Sequence, residues 1–257
     1  MTAKPASAWI ELRLPGALLI GVLAATPVAA QSPQGESWAS IAELPDWGGL
    51  FEVARGGAFL PETLVLTPPY AARAAAYAAA EARGEIQDTP AANCVPPGMP
   101  VVMWEPYPLE FIFTPGKVTI MIEAYSQWRQ IFTDGRAHPE SPDPTFNGHS
   151  IGHWEGDTLI VDSIGFSLDT PLGRNYGARH SEQLRIVERM RLVEPDLLEI
   201  TTEIYDTDAL VEPWISTRVY ARHRDWILTE YICQQNNRNF TTDDGKAGIN
   251  LEHEVER

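Results

Sequence analysis

The chain has 257 residues, 44% of them hydrophobic, enough for one sizeable buried core and against intrinsic disorder. Its formal net charge of −16, with no Lys/Arg cluster to offset it locally, excludes nucleic acid as a partner, because phosphates need a basic footprint.

Residues 1–30 read as a signal peptide. Lys4 and Arg13 make a weak positive start, residues 14–25 are apolar, and Val28-Ala29-Ala30 offers small residues at a cleavage site before Gln31. The apolar run is short for a membrane span; Glu11 and the long leader leave an uncleaved anchor as the alternative. No other stretch is apolar enough to cross a bilayer. The mature protein is therefore expected to be periplasmic or secreted, with no transmembrane segment.

Residues 31–93 read as an N-terminal arm. Scattered aromatics around Pro45 and Gly48-Gly49 should drape over the domain. The Ala-rich run 70–83 follows Pro68-Pro69 and ends at Gly84, which predicts a structural helix. Cys94 and Cys233 flank the strand-rich region, and in an exported chain they are expected to form a disulfide tying its beginning to its end.

Residues 94–235 predict an antiparallel β domain, followed by a tail, 236–257. Candidate strands are 109–113, 117–125, 128–133, 149–154, 158–164, 183–192, 197–205, 213–223 and 226–233, separated by turn residues such as Pro115-Gly116, Asp134-Gly135 and Gly156-Asp157. About nine strands joined by short hairpins expose edges unless the sheet closes. The predicted fold is mostly β, an antiparallel barrel of lipocalin or calycin-like architecture with an N-terminal helical arm; a β-sandwich is the alternative.

Candidate site residues follow along this domain. Arg129 and Arg136, on a strand end and a tight turn with Asp134 and His138, present guanidinium forks suited to an anionic group; pairing with acidic neighbours is the competing reading. The stretch 148–163 predicts a hairpin about Gly156-Asp157, with Trp154 opposite Leu159, His153 opposite Ile160 and Ile151 opposite Asp162. One face then carries Trp154, Gly152, Leu159 and Val161. The other carries His149, His153 and Asp162, which suits proton transfer or polar recognition, or else is a solvated outer face. His180 precedes a strand in which Glu188 alternates onto the apolar side with Leu184, Ile186 and Met190; Leu192 is set against Leu198 and Glu188 against Thr202. A carboxylate there needs an Arg, a His or a ligand. Trp214 follows Pro213 at the mouth of another strand.

No metal is expected, since glycines at 148, 152 and 156 oppose a helix and a strand separates His149 from His153 by about 13 Å. No Gly-rich dinucleotide fingerprint or phosphate loop is present, and no cofactor is expected.

The segments Cys94–Pro100, Phe111–Val118, Arg129–Arg136 with its TDGR, Gly148–Leu159 reading GHSIGHWEGDTL, and His180–Arg189 reading HSEQLRIVER resemble the signature of a large family of uncharacterised exported bacterial proteins. The resemblance covers about residues 94–235 and implies export and a β-rich domain, with no reaction to carry over. Two functional expectations remain. One is a cofactor-free acid/base enzyme (lyase, isomerase or hydrolase) with His153 as base, Asp162 orienting it, Glu188 as a second acid or base, and His149 and His180 as further candidates. The other is a periplasmic carrier. Both hold a small, largely apolar molecule with a polar group, contacted by Arg129, Arg136, Trp154 and Trp214.

Overall fold

Period-two patterning of β-branched and aromatic residues favours strands over most of the chain. The computed structural model, which describes residues 34–54, 64–85, 93–173, 175–236, 239–241 and 247–249, is mostly β. Its strands are β1 (Leu50–Val53), β2 (Leu109–Thr114), β3 (Lys117–Ile122), β4 (Gln127–Phe132), β5 (His149–Glu155), β6 (Thr158–Ile164), β7 (Arg185–Glu194), β8 (Leu197–Tyr205) and β9 (Trp214–His223). A one-turn helix α1 (Trp38–Ile41) precedes β1, and α2 (Pro68–Ala82) follows it, with prolines in its first turn and Gly84 at φ +71 beyond its end. The predicted leader lies outside the described residues. Of the tail, β10 (Asn239–Thr241) and β11 (Ala247–Ile249) form a small antiparallel pair.

β1 to β9 close into a barrel in sequence order. The hairpins have the registers that matching apolar faces dictate: Trp154 opposite Leu159 and Ile151 opposite Asp162, then Glu188 opposite Thr202 and Met190 opposite Ile200. The inner face holds Ile120, Ile131, Leu159, Ile186, Met190 and Ile200, all buried.

The expected closed barrel is present, and two of its details differ from expectation. The barrel is not antiparallel throughout. A ring of nine staves cannot alternate in direction, because an odd number leaves at least one pair of neighbours pointing the same way. That pair is β4–β5, parallel through only Ile131↔Ser150 and Phe132↔Ile151. Parallel neighbours need a long crossover, and residues 133–148 supply it.

The ninth stave is also not 226–233, which forms no strand. Leu50–Val53, inside the predicted arm, pairs with both β2 and β9 and closes the ring. β9 then has partners on both edges, so no ladder remains for the residues after it. Instead Trp226 stacks on His223 with ring centroids 3.6 Å apart, and the Thr229 amide donates to Glu123 Oε2 at 2.9 Å. The segment then reaches the Cys94–Cys233 disulfide, with Cα atoms 5.6 Å apart. Among the described residues no helix is long and apolar enough to cross a membrane.

Candidate functional site

The short β4–β5 ladder leaves a seam, and along it lies a cleft of about 550 Å³. Trp128, Phe132, Pro142 and Phe146 supply apolar wall; Gln127, Asn147, His149 and Ser150 add polar groups. Trp128, on the outer face of β4, is 56% exposed. The crossover is pinned where it re-enters the sheet. Asn147 Nδ2 donates to the Trp128 carbonyl at 3.1 Å, and Ser167 N donates to the Thr145 carbonyl at 2.8 Å. Gly148 makes the entry into β5 possible. Its φ is +67, and an added Cβ would lie 2.5 Å from Phe166 Cε1 and 2.8 Å from the Ile164 carbonyl. Gly148→Ala is expected to destabilise the fold by about 2 kcal/mol or more, measured by urea unfolding.

Behind the seam, the inward residues of four strands form a buried polar chain. The Ser150 and Ser163 hydroxyls are 2.8 Å apart, Arg129 Nε donates to Ser150 Oγ at 3.2 Å, and Arg129 Nη2 donates to Ser163 Oγ at 2.8 Å and to Glu188 Oε2. The side chains of Arg129 and Glu188 are each 1% exposed, so this ion pair is desolvated. Arg129 Nη1 and Glu188 Oε1 have no hydrogen-bond partner among the described residues.

On the outer face the histidines do not gather as expected. His153 is 62% exposed and turns to Glu155, Nε2 to Oε1 3.1 Å, so Asp162 does not orient it. Asp162 instead accepts a bidentate pair from Arg185 Nε (2.9 Å) and Nη2 (2.7 Å), because β7 places Arg185 on the diagonal beside it. His149 meets His138 from the crossover, Nδ1 to Nδ1 at 2.9 Å, and its ring stacks on Phe132. Burial pushes both imidazoles below their ordinary value, with Arg136 adding to the effect on His149 and Asp162 partly opposing it on His138. Both rings are therefore neutral at neutral pH.

No protein-family model matches this chain, and no curated protein does.

The remaining candidates are dispersed. Arg136 is taken by Asp134, with Nη2 2.5 Å from Oδ2, and its guanidinium lies 3.9 Å over the Phe132 ring, so the acidic-neighbour reading describes both Arg129 and Arg136. His180 is buried away from the cleft lining, its Nδ1 2.7 Å from the Ser181 carbonyl and its Nε2 2.8 Å from Thr170 Oγ1. Burial pushes it down as well. Trp154 packs against Trp47 and Phe113, and Trp214 against Trp104. Among the described residues no three His, Cys, Asp or Glu side chains are grouped to hold a metal ion.

Sequence reasoning assigned no site role to His138, Trp128, Ser150 or Ser163. The two serines were within its reach, since they continue the face carrying Gly152, Trp154, Leu159 and Val161. His138 and Trp128 were not, because no local pattern brings the crossover to the outer side of β4 and β5.

Proposed function

We propose that this is an exported small-molecule-pocket protein that holds a small, largely apolar molecule with one polar group in the β4–β5 cleft. The observation that carries this reading is the seam itself. Its cleft of about 550 Å³ lies within the ordinary range of ligand sites, with aromatic and proline walls and a few convergent polar tips. Export is supported by the leader pattern and by the Cys94–Cys233 bridge, which an oxidising compartment sustains.

A second reading, the cofactor-free lyase, isomerase or hydrolase, is favoured by His149, an imidazole held neutral in the cleft wall and so able to accept a proton. The catalytic set expected around His153 and Asp162 has no geometric support, and His149 takes its place in this reading.

Native mass spectrometry of the protein taken from its exporting cell, and after incubation with a panel of small alcohols, amides and acids, tests both. A compound should be retained by the wild type and its occupancy should fall about tenfold in Trp128→Ala. Equal occupancy in the variant, or no retained compound in either experiment, would rule out the cleft as the site. If the retained compound is turned over, His149→Gln should slow turnover by about 10²-fold, whereas a carrier loses only affinity.

A further inference from the structure

The His138–His149 contact joins two parts of the molecule that the ladder does not. His138 lies on the crossover between Thr133, whose amide donates to the Gly116 carbonyl, and Thr145, whose amide donates to the Gly165 carbonyl. His149 opens β5 and lines the cleft, as do Pro139, Pro142 and Asp143 of that same crossover. A hydrogen bond between two Nδ1 atoms 2.9 Å apart requires one nitrogen that carries a proton and one that does not.

We propose that His138 and His149 form a proton-operated latch, which ties crossover residues 134–144 to β5 beside the cleft and releases them when both imidazoles are protonated.

The two protons act differently. Asp162 Oδ2 on β6 lies 3.9 Å from His138 Nε2, which is buried and has no hydrogen-bond partner. A first proton, on whichever ring takes it, still leaves one Nδ1–H facing one bare Nδ1, while the carboxylate favours a charged His138 and a charged His149 disfavours it. The latch stays shut. The second proton leaves two Nδ1–H groups pointing at each other, so the contact breaks. Other charged groups bear on both steps. Arg185 on β7 binds Asp162 and bears on His138; Arg136 on the crossover, held by Asp134, bears on His149. Phe132 on β4 contributes only its ring. Burial delays both protonations, so the latch is closed at neutral pH and opens in acid.

Backbone amide order parameters of Arg136, Ala137, His138, Glu140, Ser141 and Asp143 test the latch in the full protein. They should lie near about 0.85 at about pH 7 and fall below about 0.6 at about pH 4.5, while β8 amides stay rigid. His138→Asn offers His149 an amide oxygen as well as an N–H group, so the segment should stay ordered at both pH values. His149→Phe keeps the ring stack without the Nδ1 partner and should leave the segment loose at both. A wild-type segment that stays rigid with both rings protonated, loosening of β8 together with the crossover, or His138→Asn loosening as the wild type does would each overturn the latch. Its control of the cleft rests on the binding role proposed above. Equilibrium dialysis with 2-naphthol, uncharged across this range, should show at least tenfold weaker binding in acid for the wild type and no change for His138→Asn. Undiminished binding to a loosened wild type would overturn the gating, and absence of binding at either pH would count against the cleft as a ligand site while the order parameters still decide the latch.

Discussion

Glu188→Ala should cost about 3–5 kcal/mol of unfolding free energy, because it strips a fully buried Arg129 of its counter-charge. The guanidinium would keep only the two serine hydroxyls, with Nη1 still unpartnered among the described residues. An isolated charge in a dry barrel pays its full desolvation penalty, whereas the pair meets that penalty with mutual attraction. The double replacement Arg129→Met with Glu188→Leu should therefore be far milder than the single one, near neutral if the apolar side chains pack. Urea unfolding of the three variants gives both numbers. A single variant as stable as wild type would mean that the pair is hydrated in solution and that the inner face has been misassigned.

Loss of the Cys94–Cys233 bridge should be comparably large. The bridge spans 139 residues of sequence, from before β2 to after β9, so it encloses eight of the nine staves. Chain entropy alone assigns such a loop about 4–5 kcal/mol. For a domain of this size that corresponds to a fall in Tm of about 10–20 °C on reduction or in the double Cys→Ser variant. Local effects should accompany it, since the bridge brings residues 229–234 back to Glu123 and Ser126, where Ser126 Oγ donates to the Tyr231 carbonyl at 2.9 Å. Calorimetry with and without reductant checks the size. An unchanged Tm would show that the barrel constrains these ends without help.

What the sequence determined by itself is local. Alternation assigned Glu188 to the inner face, and short turns set the β5–β6 and β7–β8 registers, because a one-residue slip would reverse every side chain on a strand with one buried face. Cysteine placement foretold the bridge. The candidate site was less legible. Of its inner half only Glu188 was visible as a charge on an apolar strand face that needed a partner, and Arg129 was read as a fork at a strand end, while the outer half was drawn around His153 and Asp162, which the fold turns to Glu155 and Arg185. Only the tertiary structure decided which segment became the ninth stave and where the odd ring placed its parallel pair. Leu50–Val53 is short, and its selection over 226–233 depends on both of its edges finding partners, β2 and β9, that lie far away in sequence. The cleft and the His138–His149 contact descend from the same closure. Direction must fail to alternate somewhere in a ring of nine, and the long crossover at that point carries His138 and the cleft wall to β5, a consequence of ring parity and chain connectivity that no window of neighbouring residues contains.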